Sequence, residues 1–397
     1  MTFFDDTIKH ASWSESPREF LPWIPICTVS SILKANVHVD RQVYKIYPNV
    51  YVLIMGPSGI IKGYPVSVTK QLTKLVDNTR IISGRFTIQS LINKLSKMEE
   101  RENGNHIKDA SAAIISGEFS ASVVDDPMAF TILTDLYDTD YNDVWVNSLK
   151  SSGEEVLKNP CITIMGASNE EHFNAIMTGR EIRGGMIGRC ILIYSKNPGP
   201  KNDFFDKIEG LDSNLIRFKP FLLDVAKLRG EMHIDDSAKV EYRKWHDPFE
   251  PWKLDDKTGG ISRLKDKIWK ISTCISIAKR CEKRITGDDI EHAITLCVES
   301  QVKLDKLVKG AGISSDSGKI RLVMQILIEA GGEWVSRSTI LQRLTGDIDY
   351  IDLEKIITTF VHAEAVEVQI KGSNYWYRMR QEMINALEKK LGGGLRK

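Results

Sequence analysis

Four short apolar runs constrain the fold of this chain more than any other feature of its sequence. They are Tyr51–Met55, Ala112–Ser116, Cys161–Met165 and Cys190–Tyr194. Apolar runs of this length are typical of strands that are buried on both faces. Helical patterns lie between them, at 66–76, 87–99 and 128–137. Because strands alternate with helices, the sequence predicts an α/β fold with a parallel sheet.

The composition indicates a globular chain with more than one domain. Its 397 residues suggest two to three domains of roughly 100–200 residues each. Hydrophobic residues make up 42% and charged residues 27%, which argues against disorder. The 54 Lys and Arg residues balance 53 Asp and Glu residues, so any surface for nucleic acid must be local. The six cysteines include no CxxC pair, which argues against a zinc or iron–sulfur site.

The sequence gives no sign of membrane insertion. Its N-terminus has acidic and polar residues where a signal peptide has a basic start and an apolar run. No stretch approaches the ~18 uninterrupted apolar residues of a membrane span. We therefore expect a cytoplasmic protein, or a viral protein of the host cytoplasm, without a membrane partner.

Changes in pattern divide the chain into four parts. Residues 1–45 form an N-terminal helical segment, residues 46–200 the α/β core, and residues 201–310 a region of helical patterns alone. The stretch Gly310–Gly318 is rich in Gly and Ser, as linkers are. In the last part, 317–397, three helices precede a strand–turn–strand, and this order predicts a winged helix.

A glycine-rich turn follows the first apolar run and precedes a helix. Its sequence is Gly56-Pro-Ser-Gly-Ile-Ile-Lys62. In this context glycines let backbone N–H groups converge on an anion, and the helix N-terminus adds its dipole. We therefore predict a phosphate-binding loop in which Gly56, Ser58 and Gly59 surround the phosphates and Lys62 reaches the terminal ones.

Two positions depart from the usual phosphate-loop pattern. Ile61 stands where glycine is usual, and Gly63 stands where a Ser or Thr hydroxyl would bind magnesium. Without that hydroxyl the metal needs another ligand, so hydrolysis is in question. A simple turn between strand and helix, with Lys62 solvated, is the alternative interpretation.

Polar residues after the second and third apolar runs are candidates for catalysis. Glu118 could orient water, and Asn169 could sense the γ-phosphate. Gly117 stands where an aspartate would hold magnesium. Because positions 63 and 117 are both glycine, the sequence indicates a weakened or lost ATPase. A surface acid and a turn-forming asparagine are the alternatives.

Arginines precede the fourth apolar run. Arg189 adjoins it, and Arg183 and Arg180 lie a few residues earlier. At a subunit edge an arginine can act on a neighbour's phosphate and stabilise charge in the transition state. Arg189 is the first candidate for this role, and an ordinary surface ion pair is the alternative.

With these motifs in order, residues 17–308 resemble AAA+ ATPases found beside primases in phages and mobile elements, a group similar to MCM replicative helicases. The matching stretches are Pro48–Lys62, Ile115–Phe119, Pro160–Asn169 and Gly184–Tyr194. The helices after residue 201 resemble the lid of such ATPases, in which Arg263 matches an arginine that contacts nucleotide. The resemblance implies an AAA+ P-loop fold with a helical lid, followed by a winged helix. It also implies ATP and Mg²⁺ as cofactors and assembly into a ring, expected to be a hexamer.

The resemblance further implies that DNA is a partner, and it makes a primase or another replisome protein a further candidate partner. Basic and aromatic loops line the central pore of such rings, and the stretches 99–110 and 138–153 could supply them here. The residues of interest in these stretches are His106, Lys108, Trp145 and Lys150, with Lys150 as the candidate DNA-binding residue. A solvated surface loop is the alternative for the first stretch.

The predicted winged helix has two possible uses. Arg343 on its second helix, and Lys371 and Arg378 on its wing, could contact the DNA backbone. Acids at the start of its third helix, Asp349 and Asp352, would repel phosphates. Docking of a protein is therefore the alternative.

The sequence as a whole predicts a helicase-like DNA replication protein, either a motor or an initiator. The alternative is a pseudo-ATPase that keeps the fold for oligomerisation and for binding DNA or a replisome partner, without turnover. A helicase loader or DNA-bound regulator that uses nucleotide as a structural ligand is a third hypothesis. Gly63 and Gly117 favour the versions without turnover.

Overall fold

A computed structural model divides the chain into two compact units, Met1–Val308 and Lys309–Lys397. It describes residues 2–84, 86–97, 99–102, 105–119, 128–138, 144–149, 153–169, 185–201, 214–254, 256, 258–311, 315–346, 348–372 and 374–383. Among these residues, no helix is both long enough and apolar enough to cross a membrane.

The first unit combines helices with short strands. Its helices are α1 (Phe3–Ala11), α2 (Trp23–Leu33), α3 (Gly63–Thr73), α4 (Ile88–Ser96), α5 (Ala129–Asp138), α6 (Met186–Arg189), α7 (Lys219–Val225), α8 (Asp236–His246), α9 (Leu264–Arg280) and α10 (Gly287–Ala311), the last of which runs past the unit's end. Short 3-10 helices cover Arg18–Phe20, Leu215–Phe218 and Pro251–Lys253. Its strands are β1 (Val37–Asp40), β2 (Lys45–Ile46), β3 (Tyr51–Met55), β4 (Ile81–Ile82), β5 (Glu99–Glu102), β6 (Asn105–Lys108), β7 (Ala112–Ser116), β8 (Val144–Leu149), β9 (Gly153–Lys158), β10 (Ile162–Ser168), β11 (Cys190–Tyr194), β12 (Gly230–Glu231), β13 (His233–Ile234) and β14 (Arg284–Ile285).

A parallel sheet of five strands forms the centre of this unit, in the order β11-β3-β10-β7-β4. Every residue of β3, β7 and β10 is buried, as their unbroken apolar sequences predict. The predicted α/β class with a parallel sheet is therefore confirmed. The edge strand β4 was not predicted, because two residues are too short to show a pattern.

A large hydrophobic core joins the segments of the first unit. It includes Phe4 of α1, Trp23 of α2, Ile54 of β3, Trp269 of α9 and Ile290 of α10. The N-terminal segment, the sheet and the later helices are therefore parts of the same packed body, although their sequence patterns differ. All six cysteines are free thiols, and all but Cys281 are buried.

The helical pattern at 213–229, within the predicted region of helices, forms an interrupted helix. A 3-10 helix covers Leu215–Phe218, and α7 begins at Lys219 with Pro220 in its first turn. Proline lacks a backbone N–H, so it suits the start of a helix and disfavours its interior. The chain then turns through Gly230, whose φ is 92°, and β12 pairs with β1.

The described residues of the second unit form three helices and a small antiparallel sheet. Its elements are α11 (Ser315–Glu329), β15 (Val335–Ser336), α12 (Arg337–Arg343), α13 (Tyr350–His362), β16 (Val366–Lys371) and β17 (Asn374–Met379). The strands lie in the order β15-β17-β16. Ser336 caps α12, because its side chain accepts a hydrogen bond from the Thr339 N–H at 3.1 Å. A helical pattern also covers 380–391, most of which lies outside the described residues.

Candidate functional site

The predicted phosphate loop connects the central strand β3 to helix α3. Residues 56–62 follow Met55, and α3 begins at Gly63 with Lys62 as its N-cap. Gly59 has a φ of 90° and Ile61 a φ of 53°, so both lie in the left-handed region. Two left-handed residues bend this short loop tightly ahead of a helix N-terminus, where backbone N–H groups can bind an anion.

Ile61 holds a conformation that β-branched residues rarely adopt. The left-handed region costs an L-residue about 1–2 kcal/mol. The residue is 37% exposed, so burial offsets little of that cost. Position 61 therefore keeps a backbone shape that glycine adopts without strain, although glycine is missing there.

Gly56 fits a tight space where the loop leaves the sheet. A Cβ atom at Gly56 would collide with the side chain of Ile60 and with the backbone carbonyl of Ser195. Ser195 follows β11, and its N–H donates to the carbonyl oxygen of Met55 at 3.2 Å. The end of β11 therefore supports the first turn of the loop, and only glycine fits against it.

Lys62 folds back onto the loop that precedes it. Its Nζ donates a hydrogen bond to the carbonyl oxygen of Pro57 at 3.1 Å. The residue is partly exposed, while Ser58 and Gly59 are fully exposed. The ammonium group therefore lies at the loop itself, where it could meet a bound phosphate.

The sheet register brings Asn169 and Glu118 to the same edge as the loop. The last residues of β3 and β10, Met55 and Ser168, pair with each other. On the other side of β10, β7 ends at Ser116, two residues before Glu118. Neighbouring strands lie about 4.8 Å apart, so Asn169 follows the strand beside the loop and Glu118 follows the next one.

Phe119 holds the turn that carries Glu118. Phe119 is buried, and a Cβ atom on Gly166 of β10 would lie 2.5 Å from the Phe119 Cβ. The glycine therefore leaves room for Phe119 to pack on the sheet. Glu118 itself is exposed, and its backbone N–H donates to the Ser116 hydroxyl at 3.4 Å. The carboxyl group is thus accessible to a ligand at this edge.

Space does not explain the glycines at positions 63 and 117. A Cβ atom at Gly63 or Gly117 would meet no atom of the described residues within 4 Å. Neither residue has a left-handed φ, so a larger residue would fit without backbone strain. Among the described residues, no group of three or more His, Cys, Asp or Glu could hold a metal ion.

Arg189 lies at the opposite edge of the sheet. It precedes Cys190, which pairs with Tyr51 at the start of β3. A strand of five residues spans roughly 13 Å and separates Arg189 from the loop of its own chain. The guanidinium donates to Asp138 at 2.9 Å and to the carbonyl oxygen of Gly185 at 3.0 Å. The predicted surface ion pair is thus present, but its arginine is largely buried.

Arg263 lies beside Arg189 and not beside Lys62. A Cβ atom on Gly185 would be 2.9 Å from a terminal nitrogen of Arg189 and 3.7 Å from one of Arg263. Burial, and then the charge of Arg189, lowers the pKa of Arg263. Within one chain the structure does not bring Arg263 to the loop. Arg180 and Arg183 lie outside the described residues.

A polar cleft opens beside these two arginines. Its volume is about 360 Å³, and its other lining residues include Tyr44, Asn49, Tyr137, Asp138, Asp266 and Lys270. The buried Lys270 donates to Asn49 Oδ1 at 2.5 Å, and its Nζ lies 4.4 Å from the centroid of the Tyr137 ring. Burial lowers the pKa of Lys270 to about 8. The cleft therefore combines positive charge with aromatic surface, which suits an anionic group.

Of the stretches that the sequence suggests as pore loops, 99–110 contains an antiparallel hairpin, and 138–153 contains the first strand of another. β5 pairs with β6 before β7, and β8 pairs with β9 before β10. Trp145 of β8 is partly exposed and lies between two exposed valines. His106 and Lys108 belong to β6, whereas Lys150 lies outside the described residues.

Glu155 attaches the β8–β9 hairpin to helix α4. Its carboxylate accepts hydrogen bonds from Gln89 at 2.7 Å, Asn147 at 3.1 Å and Asn93 at 3.4 Å. Two of these amides belong to α4 and one to β8. The sequence offered no signal for this contact, because glutamate and its partners are distant along the chain.

The basic candidates of the second unit are engaged within that unit. Arg343 donates to Glu329 at 2.7 Å, and Arg378 donates to Glu367 at 3.1 Å. Lys371 lies over a tryptophan ring, 5.5 Å from its centroid. Each of these cations therefore has a partner within its own unit, although the exposed guanidinium groups keep further N–H donors for other ligands.

No protein-family model and no curated protein matches this chain. The residues at the carboxyl and amino ends of the central strands are therefore the guide to its function. Sequence reasoning found the residues of the loop edge, because each follows an apolar run. It missed Asp138 and Gly185, which contact Arg189, since only the fold brings an α5 residue to β11.

Proposed function

We propose that the first unit is a P-loop domain of the AAA+ type that binds a nucleoside triphosphate at residues 56–62. The observation that carries this proposal is the left-handed backbone of Ile61, next to Lys62 and ahead of α3. A strained non-glycine residue persists only where its surroundings impose the conformation, and such strain clusters at ligand sites.

The strand order supports a ligand site at this edge. After β3 the chain passes to β4, the outermost strand on one side of the sheet. After β10 it passes to β11, the outermost strand on the other side. Parallel sheets bind ligands outside the carboxyl ends of neighbouring strands whose connections diverge in this way. The loop and Asn169 follow these two strands.

The position of Arg189 and Arg263 supports self-association into a ring. They lie one strand length from the loop of their own chain, so they could serve only the loop of a neighbouring copy. Two adjacent arginines repel each other, and an anionic phosphate between them would relieve that repulsion. In the proposed ring, each copy supplies this pair to the next, and ATP is the ligand at the shared boundary.

DNA is the proposed partner of the two hairpins. β5–β6 and β8–β9 both precede core strands, so their last residues meet at the amino-terminal edge of the sheet, where the Ala110 N–H donates to the carbonyl oxygen of Lys158 at 2.8 Å. Trp145 of β8 is partly exposed, and an exposed aromatic ring suits stacking on single-stranded bases. The second unit has the element order of a winged helix, and its proposed partner is DNA or a replisome protein such as a primase.

The second candidate function is a pseudo-ATPase, and the glycines at 63 and 117 favour it. Two positions that are expected to bind magnesium lack a side chain, although each has room for one. The chain would then bind nucleotide as a structural ligand and assemble without turnover. More widely, we propose that the protein acts in the cytoplasm in DNA replication, as a motor, an initiator or such a pseudo-enzyme.

Nucleotide binding and turnover by the purified protein test these proposals together. We expect ATP to bind and Lys62→Ala to weaken binding at least tenfold, because the mutant loses the only predicted phosphate-binding cation in the loop. Lys74→Ala, at the other end of α3, should bind like the wild type. Equal binding by Lys62→Ala and wild type would contradict the proposed site.

Restoring the missing ligands separates the motor from the pseudo-ATPase. The double variant Gly63→Thr with Gly117→Asp should fold, because both positions have space. If the wild type is a pseudo-ATPase, the variant should gain magnesium-dependent turnover, and Glu118→Gln in the same background should remove it. Turnover already present in the wild type would instead support the motor.

A further inference from the structure

The outer edge of strand β16 is exposed in the second unit. β16 is the last strand in the order β15-β17-β16, and among the described residues no strand pairs with its other edge. Val368 is 41% exposed and Ile370 is 61% exposed. An exposed edge strand with apolar side chains is a template for pairing with another strand.

The register fixes which residues offer hydrogen bonds at that edge. The Arg380 N–H donates to the carbonyl oxygen of Ala365 at 3.0 Å, so residue 365 directs its carbonyl group toward β17. The direction alternates along an antiparallel strand. Val366, Val368 and Ile370 therefore direct their backbone N–H and C=O groups away from β17, toward the open edge.

The sequence of β16 complements itself in one antiparallel register. When two copies pair about Gln369, each Glu367 faces the Lys371 of the other copy, and each Val368 faces an Ile370. The outward backbone groups of Val368 and Ile370 then meet their counterparts as hydrogen-bonded pairs. Opposite charges and apolar pairs across strands each stabilise a sheet, whereas a shift by two residues would lose the charge pairing.

We propose that β16 pairs with β16 of a second copy of this chain and joins two second units through one continuous antiparallel sheet. The contact has two-fold symmetry, so each copy uses the same surface. It covers the exposed faces of Val368 and Ile370 and closes the open edge. This contact is separate from the proposed ring and does not depend on nucleotide binding.

A disulfide at the symmetry axis tests the contact in the full-length protein. In the proposed register Gln369 faces itself in a non-hydrogen-bonded pair, with Cα atoms about 4.5 Å apart, within the range that disulfides span. Gln369→Cys should form a covalent dimer under mild oxidation. Gln342→Cys, an exposed glutamine on α12, and the wild type are the controls. If Gln369→Cys forms no more dimer than Gln342→Cys, the proposal fails, and a strand of another protein becomes the candidate occupant.

A charge swap then tests the register. In the Gln369→Cys background, Lys371→Glu places a carboxylate opposite Glu367 and should reduce dimer formation several-fold. Glu367→Lys should do the same through facing lysines, and a mixture of the two variants should restore dimer formation because both facing pairs become opposite in charge. Failure of the mixture, with both variants folded by thermal melting, would overturn the register. If Glu367→Lys does not fold, because it loses its partner Arg378, an undiminished dimer in Lys371→Glu alone would overturn it.

Discussion

At the scale of single residues, the predicted phosphate loop shows that backbone conformation need not follow residue type. Ile61 departs from the usual glycine, yet its backbone stays left-handed. Gly63 is a glycine, yet its backbone does not need one. Both positions depart from the sequence motif of a phosphate loop. Only Gly63 removes a hydroxyl group that could bind magnesium.

Replacing Ile61 by glycine should stabilise the first unit. The variant removes about 1–2 kcal/mol of left-handed strain, which exceeds the roughly 0.5–1 kcal/mol of backbone entropy that glycine costs. We therefore expect Ile61→Gly to raise the free energy of unfolding in urea by up to about 1 kcal/mol. Ile216→Gly is the matched control, since Ile216 is also exposed but lacks a positive φ. It should lose stability, and a loss of equal size in both variants would contradict the strain.

Buried lysines give the first unit a distinctive dependence on pH. Burial lowers the pKa of Lys267 and of Lys270 from 10.5 to about 8. Between pH 8 and pH 10.5 the unfolded chain therefore binds more protons at these residues than the folded chain. Their contribution to stability is present above pH 10.5 and is lost as the pH falls through 8.

Lys270→Met should remove the contribution of one of these two lysines to the pH dependence of stability. At pH 7 the folded wild type must keep a buried charge, so we expect the variant to be more stable by up to about 3 kcal/mol, less the lost hydrogen bond to Asn49. The advantage should shrink as the pH rises from 8 to 10.5, as measured by urea unfolding at each pH. Buried cysteines titrate in both proteins, so the difference between them isolates Lys270. An advantage that is constant over this range would contradict the lowered pKa.

At the scale of elements, the β8–β9 hairpin depends on one carboxylate. Glu155 joins amides from α4 and β8, so its loss should free the hairpin without opening the sheet. We expect Glu155→Ala to speed amide hydrogen exchange in 144–158 several-fold, while the free energy of unfolding changes by about 1 kcal/mol. Glu154→Ala, on the exposed neighbour, should leave exchange unchanged. Equal exchange in the two variants would show that the carboxylate does not hold the hairpin.

Element patterns were predictable where the burial was regular. β3, β7, β10 and β11 coincide with apolar runs, because strands buried on both faces need apolar residues at every position. β1, β2 and β12 form a separate sheet and were not predicted, because strands of two to four residues are too short to show a pattern. The interrupted helix at 213–229 shows that a proline outweighed a helical apolar pattern.

At the scale of the whole molecule, the loop and the arginine pair lie at opposite edges of the sheet. If the proposed ring forms, one copy's loop meets the next copy's Arg189. We expect ATP turnover, in the wild type or in the variant with restored magnesium ligands, to be lost in Lys62→Ala and in Arg189→Ala.

A mixture of these two variants tests whether the site is shared between copies. Some boundaries in the mixture pair an intact loop with an intact arginine, so activity should return to a fraction of the parent value. Mixing Lys62→Ala with Glu118→Ala should restore none, because both residues follow strands at the same edge of one chain. Recovery in the second mixture, or none in the first, would exclude the proposed arrangement.

The sequence by itself determined the parallel α/β class and the residues of the loop edge. Both follow from local rules, since a strand buried on both faces must be apolar and the residues after parallel strands share one edge. Tertiary structure alone decided that Arg263 joins Arg189, that Asp138 pairs with Arg189, and that Gly63 has room for a side chain. These facts depend on which distant segments pack together, and packing contacts leave no periodic mark in the sequence.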